Sequence, residues 1–449
     1  MNPMDDVLDG SLAEAARLIR SGEVSATELV GASLARIGSV ASGANPFLRV
    51  RGDEAILAAR SVDAMDKEAR QALPLCGVPL ARKDLFSVPG ETATFGAHAQ
   101  FHRRGEMLAA PLARLQEAGA VDMGALHMSE FAMGPSGWSS VDGAIHNPQD
   151  PLLISGGSSS GSAAAVGARL VFGSLGTDTG GSNRIPAAFC GVVALKPSSD
   201  RIAASGVLPV SKTLDTVGPF ARSVADCKLL FEALTGGTVR SRREGALRFG
   251  MLTTDSLPVE PDAEVVGALH DVAKRLESAA YPVREVRWPG FAETNLLSGT
   301  VFLAEAASAH MHNLVRHGEL MGSQVRERLL QGLAFPAPLY LAAMAERAAR
   351  RARFEESTLA GIDVLLLPVS PARAPARKEY AGPGIADVFK KNAHVAAYTG
   401  GFNYLDLPVL SMPASARSLH KTLGIQLVTR NGDDEVLLEA GRLIEQLAR

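Results

Sequence analysis

The residues best suited to chemistry are hydroxyls embedded in glycine. The stretch "LISGGSSSGSAAAV" (153–166) contains Gly157-Ser158-Ser159-Ser160-Gly161, which fits the G-x-S-x-G elbow that lifts a nucleophilic serine from a strand into a helix, with Ser159 at its centre. A second stretch, "LGTDTGGSNRIPAAFCGVVALKPS" (175–198), sets Gly180-Gly181-Ser182 in a row. Successive backbone N–H groups beside a hydroxyl are the raw material of an oxyanion hole next to its nucleophile. Asp178 and Arg184 are charges in this otherwise small and apolar segment; if buried they must be paired.

The first stretch is not a linker, although Gly/Ser composition usually means one. It runs into "AAAVGARLVF", apolar on every side and therefore a buried helix. Nor is it a phosphate loop, because Gly161 is followed by Ser162 and not by lysine.

Elements able to position these residues surround them. Two N-terminal helices carry S-x-x-E signals, Ser11 to Glu14 and Ser25 to Glu28, with Gly22 as a stop between them. From about residue 75 the texture is α/β: "GVPLARKDL" reads as a strand, "PLARLQEAG" as a helix and "AVDMGAL" as a strand, with a helical segment at 159–172 and a further strand at 247–253. Long Ala/Leu/Arg-rich helices fill 295–358, and "IDVLLLPV" returns as a strand buried on both faces. The expected fold is α/β, a single domain with a central mixed sheet covered by helices. Its expected parts are N-terminal helices (1–60), a catalytic core (75–240), a helical insertion (295–358) and a C-terminal part of the sheet (360–449).

Composition excludes several classes. With 45 Lys+Arg against 48 Asp+Glu, the chain has no basic footprint for nucleic acid or an anionic membrane. Cys76, Cys190 and Cys227 are odd in number and far apart, which argues for free thiols in a reduced compartment. There is no signal-peptide pattern and no apolar run of about 18 residues, so a cytoplasmic location is expected. His310, His312 and His317 share a predicted helix without an H-E-x-x-H pattern, and no metal or cofactor is expected.

Taken together, Gly156 to Ser162, Gly176 to Pro186, Cys190-Gly191 and Leu195-Lys196-Pro197 resemble the amidase signature family. "GVPLARKDL" (77–85), 109–134, "HNPQDP" (146–151), "IDVLLLPVSPARAP" and "NYLDLPVLSMPA" are similar too, so the resemblance runs from about residue 10 to the C-terminus. Ser158 and Ser182 stand 24 positions apart, the family's spacing between two catalytic serines. The resemblance implies a Ser-Ser-Lys triad: Ser182 as nucleophile, Ser158 as bridge after a cis peptide bond, and Lys83 as base. It also implies an oxyanion hole from the N–H groups of Thr179, Gly180, Gly181 and Ser182, with Asp178 and Arg184 as structural supports. A lysine can act as base only when neutral, which burial favours.

The implied activity is hydrolysis of a carboxamide to carboxylate and ammonia or amine, through an acyl-enzyme on Ser182. The expected partner is a small-molecule amide, with a homodimer kept open as the assembly. Three rivals stand beside it. One is the glutaminase A-type subunit of a tRNA-dependent amidotransferase, although Ile185 stands where that subfamily typically has glutamine and its late glutamine-binding aspartate has no clear counterpart before Asn403. Another is an α/β-hydrolase esterase using Ser159 with a late histidine such as His420. The last is a non-catalytic binding protein on the same fold.

Departures from the family pattern fall at Ser160, Asn183, Leu126-His127, Ser199-Asp200 and Arg82. Arg82 should face away from Lys83, because neighbours in a strand alternate. Phe302, Phe335, Tyr340, Tyr398 and Phe402 hint at an aryl or alkyl amide. The arginine run at 347–353 reads as a solvated helix face, part of which could line the pocket mouth.

Overall fold

The computed structural model describes residues 3–41, 44–237, 245–380, 384–415 and 423–448. His420 lies outside these residues. The strands are β1 (Phe47–Val50), β2 (Pro79–Lys83), β3 (Thr92–Ala93), β4 (Arg103–Arg104), β5 (Val121–Leu126), β6 (Gly173–Asp178), β7 (Val193–Lys196), β8 (Thr216–Ala221), β9 (Phe249–Leu252), β10 (Val283–Val286), β11 (Val364–Pro368), β12 (Val409–Pro413) and β13 (Gly424–Val428). Eleven of them form one mixed sheet in the order β1-β5-β2-β6-β8-β7-β12-β13-β11-β9-β10, while β3 and β4 pair separately. The architecture is a single α/β domain with helices over a large central sheet, as expected.

The local signals act as read. Ser11 and Ser25 accept hydrogen bonds from the N–H groups of Glu14 and Glu28, and Gly22 ends the first of these helices at φ 79°, a left-handed turn natural to glycine. The strand "VLLLP" of β11 is buried along its whole length. The helix expected over 159–172 is shorter, Ser160–Gly167. Its end is enforced by Arg169, which takes a left-handed φ of 59° and turns the chain into β6. Residues Ser160 to Val166 are all buried, so this small-residue helix lies inside the molecule.

The region read as long helices contains Phe291–His317, Ser323–Ala334 and Ala337–Arg353. Its arginine run is not simply solvated. Arg347 donates to the carbonyls of Asn403 and Tyr404, and Arg351 pairs with Asp406, so these two clamp segment 403–406; Arg350 keeps surface partners, Glu293 and Glu346.

The sheet sets the site. Strand β2 runs parallel to both β5 and β6, with Arg82 opposite Leu175, so the C-terminal ends of β2 and β6 lie side by side. The crevice beyond such ends is where α/β sheets place their ligands. Here they deliver Lys83 and the 178–184 loop to one place.

Candidate active site

Lys83, the last residue of β2, is fully buried, as is Ser158. Its Nζ hydrogen-bonds Ser158 Oγ at 2.7 Å and donates to Thr177 Oγ1 at 3.0 Å. Burial pushes the ammonium down to about 7, against the pull of the nearby carboxylates Asp215 and Asp178. A lysine in this state is substantially neutral at neutral pH, as a base must be. Arg82 points the other way, as alternation requires, and pairs with Asp122 and with Glu91 at 2.5 Å.

The peptide bond Gly157–Ser158 is cis. Only glycine fits at 157, because a Cβ there would sit 2.5 Å from Gly137 N and 2.6 Å from Gly134 O. Ser158 O accepts from Ser129 N, and Ser159 N donates to Ser182 O at 3.1 Å, which stitches the two glycine-rich loops together.

Ser182 is partly exposed and opens, with Gly157, Thr179, Gly180 and Ile185, onto a cavity of about 300 Å³. Ser159 is buried and spent elsewhere: its hydroxyl faces Thr177 O at 3.2 Å and Asn183 Oδ1 at 3.0 Å. The apparent elbow serine is therefore a loop support away from the cavity. No hydrogen bond joins the Ser158 and Ser182 hydroxyls among the described residues.

The pair Asp178–Arg184 is completely buried at 2.9 Å. Burial alone would raise the Asp178 carboxyl, but the Arg184 charge and hydrogen bonds from Arg184 and Asn403 hold it far below the usual carboxylate range. Asp178 also accepts the N–H groups of Gly181 (2.8 Å) and Asn183 (3.1 Å), and Arg184 reaches Thr399 O, Gln426 and Asn403. These contacts tie the loop to the C-terminal part of the sheet. The Gly181 N–H is taken by Asp178, whereas Thr179, Gly180 and Ser182 make no backbone N–H hydrogen bonds among the described residues.

The family departures have local explanations. His127 Nδ1 lies 2.9 Å from Ser160 Oγ and Nε2 lies 3.1 Å from Gly143 O, so the two unusual residues are each other's partners. Burial holds His127 down at about 4, neutral, with Nε2–H donating and Nδ1 accepting. Asn183 does not line the cavity; it braces Ser159 against Gly218 O. Of the five aromatics named above only Phe302 lines the cavity. Tyr398 and Phe402 belong to the core around Trp288 and Phe291, and Tyr340 donates to Glu305. Among the described residues no group of three or more His, Cys, Asp or Glu side chains could hold a metal, and no helix is long and apolar enough to cross a membrane.

Sequence reasoning missed Thr177, the second partner of Lys83, and Asp215. Asp215 is pushed up to about 6 by burial, against hydrogen bonds from Thr179 Oγ1 (2.6 Å) and the N–H groups of Val210 and Ser211. The signal was present: Asp215 is a lone charge entering the apolar strand β8, as Asp178 is at the end of β6.

The profile of the family described as Amidase matches residues 28–438, and the chain belongs to that family. A crystal structure of an amidase superimposes with a TM-score of 0.88 at 33% identity, covering 98% of this chain and 100% of that one. A 6-aminohexanoate cyclic dimer hydrolase matches with a TM-score of 0.86 at 25% identity, covering 98% and 97%. The A-type subunit of the glutamyl-tRNA(Gln) amidotransferase of Anaeromyxobacter dehalogenans (strain 2CP-C) is 33% identical over 99% of this chain and 97% of its own. The chain is thus an amidase-family hydrolase, an enzyme of amide bonds.

Proposed function

We propose that the chain hydrolyses the C–N bond of a small carboxamide through an acyl-enzyme on Ser182. The observation that carries this reading is the buried contact of Lys83 Nζ with Ser158 Oγ at 2.7 Å, directly behind a cavity onto which Ser182 opens. Neutral Lys83 accepts the proton of Ser158, and Ser158 accepts that of Ser182 as Ser182 Oγ bonds to the amide carbon. The oxyanion is received by the N–H groups of Thr179, Gly180 and Ser182, a contribution of several kcal/mol in sites of this kind. When the C–N bond breaks, the relay returns the proton to the departing nitrogen, releasing ammonia or amine. Water then attacks the ester by the same relay in reverse, freeing the carboxylate and restoring Ser182.

A second reading shares this chemistry and differs in what becomes of the ammonia. The names and near-complete coverage of the amidotransferase relatives favour a glutaminase component that hands ammonia to partner subunits. Ammonia release by the chain purified alone, over a panel of simple amides and glutamine, separates the two. Turnover of simple amides by the isolated chain, abolished in Ser182→Ala, supports the first. Turnover of glutamine only, and only with partner subunits present, would establish the second. The reading carries with it a cytoplasmic location and a small-molecule amide as the primary partner, and the mass in solution decides between monomer and homodimer.

A further inference from the structure

Beside Ser182 itself, the polar side chains in the wall of the cavity are those of Thr179, Asn295, Ser298 and, from the helix Ser323–Ala334, Arg328. Asn295 and Ser298 are spent on backbone groups of Ala397, Gly400 and Gly401. Thr179 is tied instead to a carboxylate, its Oγ1 donating to Asp215 at 2.6 Å.

Strand register explains the contact. β6 and β8 run antiparallel, with Thr177 opposite Val217 and Asp178 opposite Thr216, so Thr179 meets Asp215 one step further along. Cross-strand partners share a face, as do residues two apart in one strand. Asp215 therefore lies on the side of β6 where Thr177 accepts from Lys83 Nζ.

The carboxylate is held from behind by its own loop. Its Oδ2 accepts the N–H groups of Val210 (2.8 Å) and Ser211 (3.1 Å). Glu305, on the helix Phe291–His317, clasps the same loop by accepting from Ser211 Oγ, Thr213 N and Thr213 Oγ1. All three donors to Asp215 are neutral, whereas Asp178 has Arg184 against it. A carboxylate served only by neutral donors keeps its negative charge for a nearby cation. Here that cation is Lys83: burial lowers its ammonium, and Asp215 first and Asp178 second pull it back up. Of the other charges around them, Arg82 and Asp84 turn away, to Glu91 and Asp122 and to Thr94 and Arg49. His127, after β5, is held neutral by burial, and Lys212 is exposed.

We propose that Asp215 is a positioning residue of the reaction, whose carboxylate both anchors the Thr179 end of the oxyanion site and supplies the fixed negative charge facing Lys83. Without that charge a lysine in so dry a place stays neutral but becomes a weaker base. This inference rests on the amidase reading of the site.

The test follows two rates from about pH 5 to about pH 10, where a base near neutrality is read from its limb. They are ammonia release from the fastest of butyramide, benzamide and glutamine, and labelling of Ser182 by a fluorophosphonate, which needs no substrate. The enzymes are wild type, Asp215→Asn, Thr179→Val and Thr179→Ser, each checked for folding by its melting temperature. In Asp215→Asn the amide oxygen can keep the two backbone N–H groups while the Thr179 hydroxyl turns to accept from the amide nitrogen, so chiefly the charge is lost. Its kcat/KM and its labelling rate should reach half-maximum about one pH unit lower than in wild type, with a lower plateau. Thr179→Val, which leaves the carboxylate in place and keeps the proposal testable where Asp215→Asn does not fold, should lose about 10- to 100-fold in kcat with KM little changed. Thr179→Ser, which retains the hydroxyl, should restore most of that loss. An unmoved limb in folded Asp215→Asn, or full kcat in folded Thr179→Val, overturns the inference and leaves the amidase reading intact. Folded wild type that neither releases ammonia nor labels at Ser182 overturns the amidase reading, and this inference with it.

Discussion

Replacing Lys83 by methionine should abolish activity and change how stability depends on pH. The folded chain holds this lysine at about 7, against an ordinary 10.5, because the charged form is excluded by burial. A lysine lowered in this way makes the unfolded chain bind more protons than the folded one between those two values. Wild-type stability therefore rises with pH across the window from about 7 to 10.5 and gains nothing from this group below it. The slope is at most about 1.4 kcal/mol per pH unit. Allowing for half-protonation at pH 7, wild type should gain about 2 kcal/mol relative to Lys83→Met between pH 7 and pH 9. Methionine fills the same slot and strands the hydroxyls of Ser158 and Thr177, a cost independent of pH in this range. Asp215, at about 6 with the Lys83 charge helping to hold it down, is largely ionised in wild type across this range. Denaturant unfolding at pH 7, 8 and 9, with matched slopes, reads the difference directly. A constant difference across the three would mean that Lys83 stays charged in the folded chain, and the base assignment would fall.

Three further outcomes follow. The rate constant kcat/KM should rise with pH through about 7 as Lys83 loses its proton, and a profile level down to pH 5 in a stopped ammonia assay would contradict a lysine base. Arg184→Met leaves Asp178 as a buried charge without its main partner, which should cost about 3–5 kcal/mol in chemical unfolding; a loss under 1 kcal/mol would show that the pair does not hold the loop. Ser159→Ala removes the contacts to Thr177 O and Asn183 Oδ1 and should cost roughly 1 kcal/mol of stability while kcat stays within a few-fold of wild type, so loss of activity comparable to Ser182→Ala would restore Ser159 as a reacting group.

Much of this site is legible in the chain because its parts are local. The 178–184 loop carries its own acid, its own arginine and the glycine that turns between them, and their pairing follows from having two charges among small residues. The buried helix after Ser159 is equally plain from "SAAAV", which has no polar side. What stays hidden depends on contacts across the sheet. Thr177 becomes a partner of Lys83 only because β2 and β6 lie parallel in one register. The loss of the Gly181 N–H to Asp178 depends on how the loop folds back, which residue types do not specify. Arg328 sits in an arginine- and leucine-rich helix whose pattern does not tell which cation turns inward, whereas Arg347 and Arg351, which look solvated, hold the backbone and carboxylate of segment 403–406.

In the proposed mechanism Ser182, and neither Ser158 nor Ser159, forms the covalent bond. Labelling the purified chain with a fluorophosphonate and locating the adduct by peptide mass spectrometry tests it most directly. A single adduct is expected on Ser182, formed at least about 100-fold more slowly in Lys83→Met, since a positioned base contributes about that much or more. An adduct on Ser159, or amide hydrolysis that persists in Ser182→Ala, would contradict it.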